Sequence, residues 1–127
     1  LDAAIPAVWA VPDHVTQVLM NLLINAADAF SGRGGERRID VSSAPADGMV
    51  RLVVADNAGG MGEQVARRAF DEGFTTKEHG SGIGLFMCKT LLERGGGKIS
   101  LESRVGVGTT ITVLLPSVNA AEAAPFR

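Results

Sequence analysis

The sequence predicts an α+β fold, a two-layer sandwich in which a mixed, largely antiparallel sheet carries three helices on one face. Three observations predict it. Residues 17–30 (QVLMNLLINAADAF) place apolar side chains at helical three-and-four spacing. Two pairs of β-type runs, 38–43 with 49–55 and 98–103 with 109–115, are each separated by a turn signal. Two more helical stretches lie between the pairs, so the order is helix, two strands, helix, helix, two strands.

Taken along the chain, 1–12 (LDAAIPAVWAVP) is a short apolar stretch suited to an edge strand, and Asp13 is the candidate N-cap of the first helix, which runs to about Phe30. SGRGGE at 31–36 is a flexible break. In 38–43, Ile39 and Val41 share one face of a half-buried strand; 45–48 turns, and MVRLVVA at 49–55 is a more buried partner, making a hairpin. DNAGGMG (56–62) ends that strand in a glycine loop, 63–69 is a short helix, 70–82 a loop, and 83–94 a third helix stopped by Gly95 to Gly97. Strands at 98–103 and 109–115 form a second hairpin across the turn 105–108. Residues 1–116 form one domain, followed by a frayed tail at 117–127.

Composition narrows the function. The 127 residues, 46% hydrophobic and 20% charged, suit one globular domain with one core. A net charge of −2 gives no general attraction to nucleic acid or to an anionic membrane. Aromatic content of 5% without Tyr argues against base-stacking platforms. Cys88 is the only cysteine, which excludes an intrachain disulfide and a thiolate metal cluster and reads as a buried, inert thiol. His14 and His79 lack paired ligand spacing, so a zinc site is not expected. No run approaches the ~20 apolar residues of a membrane span, and no signal peptide opens the chain, which starts at Leu1 like a piece of something longer.

The chemistry lies in four stretches. Asn21 and Asn25 are four apart and share one helical stripe, which Gln17 extends by a turn. Asn favours caps and turns, so two amides mid-helix either meet backbone and solvent or face a polar ligand or hydrated cation. Asp56 follows an apolar run where strand meets glycine loop. It either bonds its own turn or accepts from an exocyclic amine while Gly59, Gly60 and Gly62 admit a flat ring. FDEGFTTK (70–77) has Phe70 and Phe74 four apart, the makeup of a mobile flap, and its Lys77 is either a solvated cation or a phosphate partner. GSGIGL (80–85) runs directly into a helix, where backbone N–H groups make an anion site. It is neither a dinucleotide fingerprint nor a Walker loop, lacking the preceding strand and the Gly-Lys-Ser/Thr.

Together, over about Val11 to Pro116, these segments resemble the catalytic ATP-binding domain of bacterial sensor histidine kinases, in the superfamily shared with gyrase, the 90-kDa heat-shock chaperone and the mismatch-repair ATPases. QVLMNLLINAADA resembles the asparagine box, DNAGGMG and GSGIGL the two glycine boxes, FDEGFTTK the phenylalanine box, and CKTLLERGGGKISLESRVGVGTTITVLLP the C-terminal pattern. The FTTK and NAADA wording is nearest to nitrogen-regulation and dicarboxylate-sensor kinases. The resemblance implies a Bergerat-type ATP-binding fold and the cofactors ATP and Mg²⁺. Asn25 would coordinate Mg²⁺, with Asn21 supporting the metal or the phosphates. Asp56 would recognise the adenine amine beside Gly60, and Thr110 would lie near that aspartate. Gly80, Gly82, Ile83, Gly84 and Leu85 would form the phosphate-binding turn, and Lys77 would reach the β- or γ-phosphate.

Two departures stand out: Ala58 where the first glycine box often has Gly, and Glu72-Gly73-Phe74 where the phenylalanine box often has Pro-Phe-Phe. No His-Glu-x-x-x-x-Pro helix is present, so the acceptor histidine would sit on a separate dimerisation and phosphotransfer domain, with a response regulator downstream. The isolated domain is expected to be cytoplasmic and monomeric, without nucleic-acid or direct membrane contact. A non-catalytic nucleotide sensor, or another ATPase or serine kinase of the superfamily, is the alternative.

Overall fold

The computed structural model describes residues 12–30, 34–73 and 84–116, with only the backbone of 12–15. In order the elements are α1 (Pro12–Asp28), β1 (Ile39–Ala46), β2 (Met49–Asp56), α2 (Glu63–Arg68), α3 (Gly84–Arg94), β3 (Lys98–Arg104) and β4 (Gly108–Pro116). The expected edge strand at 1–12 falls outside the described residues except for Pro12, which begins α1. The tail 117–127 also lies outside them.

The four strands form one sheet in the order β1-β2-β4-β3, every ladder antiparallel. Both expected hairpins are present, and β2 and β4, the most apolar strands, take the two central places. That position lets each bury one full face: Val50, Leu52 and Val54 on β2, Ile111, Val113 and Leu115 on β4. The first turn is tighter than the sequence suggested. β1 continues through Pro45 and Ala46, and the reversal is confined to Asp47 and Gly48, both at positive φ (49° and 78°). That is the two-residue turn whose twist matches antiparallel strands. Pro45 is tolerated because β1 is an edge strand.

α1 and α3 pack on each other and on one face of the sheet. Along α1, Val18, Leu22 and Ala26 recur every four residues and are at most 3% exposed. Leu92 and Cys88 answer them from α3, with Leu19, Leu23, Leu85, Leu91, Ile99 and Leu101 closing the margins. α2 rests beside β3 without burying a residue. Ile39 packs against this core, whereas Val41 remains 42% exposed.

Cys88 is the inert thiol the sequence suggested. It is fully buried, and its Sγ donates to the Val18 carbonyl at 3.8 Å. Burial pushes the thiol up to about 11, against a smaller downward pull from hydrogen bonds to Asn21 and to backbone. The folded chain therefore keeps the proton where an unfolded chain, with an ordinary value of 9.0, gives it up. This stabilisation is fully present below pH 9 and is lost as the pH rises through about 11. Raising the pH from about 9 to about 11 should thus lower the melting temperature of the parent more than that of Cys88→Ala; equal losses would show that the thiol does not titrate against the core.

Candidate functional site

The site is built where the central strands run out of core. Residues alternate along a strand, so the helix-facing row of β2 is Val50, Leu52, Val54 and then Asp56. Asp56 pairs with Thr109 on β4, and Thr109 pairs with Ser103 on β3. Three polar side chains thus end three apolar rows, on the face that the helices cover.

Of the two readings its sequence context left open, the structure shows that Asp56 bonds its own turn, through one oxygen. Its Oδ1 accepts the Ala58 N–H at 3.0 Å, closing a turn, and the Thr109 N–H at 3.3 Å from the neighbouring strand. Two main-chain donors fix the carboxylate plane, and no hydrogen bond from a described residue reaches Oδ2. That leaves Oδ2 able to accept from a ligand N–H.

The glycine loop is closed against the β3–β4 hairpin. The Gly106 N–H donates to the Gly59 carbonyl at 2.9 Å, and the Met61 N–H donates to Ser103 Oγ at 2.7 Å. Gly60 has φ +71°, and a Cβ there would stand 2.1 Å from the Arg104 carbonyl oxygen. Gly108, at φ +141°, would put a Cβ 2.0 Å from the Asp56 carbonyl oxygen. The need for glycine at 60 therefore comes first from the hairpin behind the loop, a constraint the sequence reading had assigned to a ring in front of it. Ala58 causes no difficulty: it is wholly buried, and Asp47 is the only non-glycine residue at positive φ among those described.

Asn57 was missed by the sequence reading. Its main-chain N–H donates to the Arg38 carbonyl at 3.2 Å, its Oδ1 accepts the Arg38 N–H at 2.9 Å, and its Nδ2 donates to the Glu36 carbonyl at 3.2 Å. The side chain acts as one more rung beyond the β1–β2 ladder, tying the approach to β1 to the start of the loop. Thr110 is displaced by one residue of register. It pairs with Ala55 and belongs to the opposite face, and Thr109 is the threonine beside Asp56.

Asn21 and Asn25 flank the buried stripe of α1 and are half-buried, while Gln17 is exposed. The Asn21 side chain acts on the Cys88 thiol, pulling it down against the larger effect of burial. Gly84 opens α3, and a Cβ there would meet nothing within 4 Å; Leu85 turns into the core margin. Lys77, Gly80, Gly82 and Ile83 lie outside the described residues. The structure thus brings together Asp56, Gly60, Ser103 and Thr109 at the sheet end.

No group of three or more His, Cys, Asp or Glu suited to a metal occurs among the described residues. Asn21 and Asn25 offer neutral amide oxygens. Such donors fit Mg²⁺ held largely by substrate phosphates and water, the usual mode for this ion, and not a caged all-protein site. No described helix is long and apolar enough to cross a membrane.

A family model described as histidine kinase-, DNA gyrase B-, and HSP90-like ATPase matches residues 10–119. The chain is 36% identical over 112 residues to the sensor histidine kinase ZraS of Escherichia coli (strain K12), covering 88% of this chain and 23% of that protein. It is 37% identical over 101 residues to a probable C4-dicarboxylate sensor kinase of Halalkalibacterium halodurans, covering 78% and 19%. The chain therefore spans about a fifth to a quarter of the length of the curated relatives it matches. Among solved structures, the nucleotide-free catalytic domain of histidine kinase ThkA superposes with a TM-score of 0.73 at 32% identity, covering 85% of this chain and 69% of that one.

The loop–hairpin contact makes a paired prediction. Gly60→Ala should cost at least about 2 kcal/mol, because it combines positive φ with a main-chain clash. Gly62→Ala has open space for its Cβ and should stay within about 0.5 kcal/mol of the parent. Urea unfolding of both variants checks the contrast, and similar costs would refute the packing account.

Proposed function

The chain belongs to the family of histidine kinase-, DNA gyrase B- and HSP90-like ATPases, and from that premise we propose that it is the ATP-binding catalytic domain of a two-component sensor histidine kinase. It holds Mg²⁺–ATP and presents the γ-phosphate to a histidine on a separate dimerisation and phosphotransfer domain of the same kinase. The observation that carries this reading is Asp56: a carboxylate at the end of the central strand, one oxygen held by two main-chain N–H groups. The similarity to sensor kinases supports the choice of branch within the family.

The domain does its work by binding and orientation. Asp56 Oδ2 accepts from the adenine amine, and the loop at Gly60 forms the wall beside the base. The main-chain N–H groups opening α3 at Gly84, with Gly80, Gly82 and Ile83 ahead of it, receive phosphate oxygens. Leu85 fixes that helix start to the core, and Lys77 supplies a cation to the terminal phosphates. Asn25, with Asn21, offers amide oxygens to Mg²⁺, which when bound neutralises phosphate charge. A phosphoryl transfer of this kind asks for alignment and charge stabilisation, and the nucleophilic imidazole comes from the partner domain. A response regulator then receives the phosphoryl group. The setting is cytoplasmic.

Incubating the chain with labelled ATP and an acceptor-bearing fragment should give an acid-labile phosphohistidine on the fragment. Asn25→Ala should abolish the Mg²⁺-dependent transfer, and unchanged transfer would remove Asn25 from the metal site. Asp56→Asn replaces an acceptor oxygen with a donor and should weaken ATP binding by roughly tenfold or more. Titration calorimetry reads this directly, and unchanged affinity would end the assignment of Asp56 to the base.

A further inference from the structure

Ser103 is a part-buried hydroxyl with three neighbours and no place among the family-implied ligands. Its Oγ lies 2.7 Å from the Met61 N, 3.2 Å from the Gly108 carbonyl oxygen and 2.7 Å from Thr109 Oγ1. A serine hydroxyl has one proton and two lone pairs. The Met61 N–H can only donate, so it takes one lone pair. The Gly108 carbonyl can only accept, so it takes the proton. The remaining lone pair faces Thr109 Oγ1, and only the threonine can then be the donor. The reverse orientation, with Ser103 donating to Thr109, leaves the contact with Gly108 without a proton. Full satisfaction of this part-buried set therefore has one solution.

Thr109 is 7% exposed and directly opposite Asp56 in the ladder. With its proton drawn back to Ser103, its oxygen offers lone pairs alone. Asp56, when ionised, also offers lone pairs alone. We propose that Ser103 is a specificity-determining positioning residue, which by taking the Thr109 proton makes the base end of the site an all-acceptor edge. Such an edge favours a purine carrying an exocyclic amine and repels one carrying a carbonyl at the same place. The inference rests on the proposed reading of Asp56 as the base-recognising carboxylate. It goes beyond that reading by assigning discrimination to a residue on β3 that need not touch the nucleotide.

The test is calorimetric titration of the 127-residue chain with ATP and with ITP, whose bases differ in amine against carbonyl. The parent should prefer ATP. Ser103→Ala frees the Thr109 hydroxyl to rotate and donate, and the ATP-to-ITP affinity ratio should fall by roughly tenfold. Ser103→Thr keeps a hydroxyl and should keep the parent ratio. Loss of the Met61 anchor alone would weaken both nucleotides together and leave the ratio unchanged, which overturns the proposal. Should Ser103→Ala fail to fold, Ser103→Cys supplies a near-isosteric side chain whose sulfur is only a weak acceptor for the Thr109 proton, so the ratio should fall there too, and an unchanged ratio overturns the proposal equally. A parent that binds ATP and ITP alike refutes the reading of Asp56 itself, an outcome distinct from a discriminating parent whose ratio survives the loss of Ser103.

Discussion

The close approach of the glycine loop to the β3–β4 hairpin is the constraint on which the candidate site depends. Two Cβ atoms are missing where two would collide with main-chain oxygens, at Gly60 and at Gly108. The contact so permitted is then held by Gly59 with Gly106 and by Met61 with Ser103. It carries β4 to within hydrogen-bonding distance of Asp56 and so orients the carboxylate. Without that approach Asp56 would be an ordinary turn aspartate. With it, one oxygen is consumed by the fold and the other is presented by it.

The second support is the seam between α1 and α3. A helix can show a ligand one face only if its other face is secured, and here Val18, Leu22 and Ala26 secure it against Cys88, Leu92 and the central strands. Cys88 sits at the point where both requirements meet. Its sulfur reaches the Val18 carbonyl and so ties the helix that carries Asn21 and Asn25 to α3. A small polarizable side chain suits this position, where a bulkier one would push the helices apart.

Much of this was legible from residue pattern. Helical spacing in 17–30 identified the buried stripe, the alternating runs identified both hairpins, and the glycine clusters marked where elements end. Asp56 was legible as a carboxylate closing an apolar strand. The errors were of parity and turn geometry. Choosing Thr110 over Thr109 neglected the alternation that Ile111 and Val113 impose: if those two face the helices, so does Thr109. The same alternation runs through Ile99 and Leu101 to Ser103, so a signal for Ser103 was present. The Asp47-Gly48 pair is a strong hairpin signal that would have set the end of β1 correctly.

The sequence by itself determined the element order, the apolar rows and the residue types available to the site, because these follow from periodicities of two and 3.6 that each segment expresses locally. Strand order did not follow, since β4 enters between β2 and β3 through long-range pairing that no local pattern encodes. Only the tertiary structure decided that Gly60 answers to Arg104, that Asn57 answers to Glu36 and Arg38, and that Ser103, Thr109 and Asp56 share one row. Each of these joins residues far apart in the chain, and each depends on distances of a few tenths of an ångström that arise only when the core has packed.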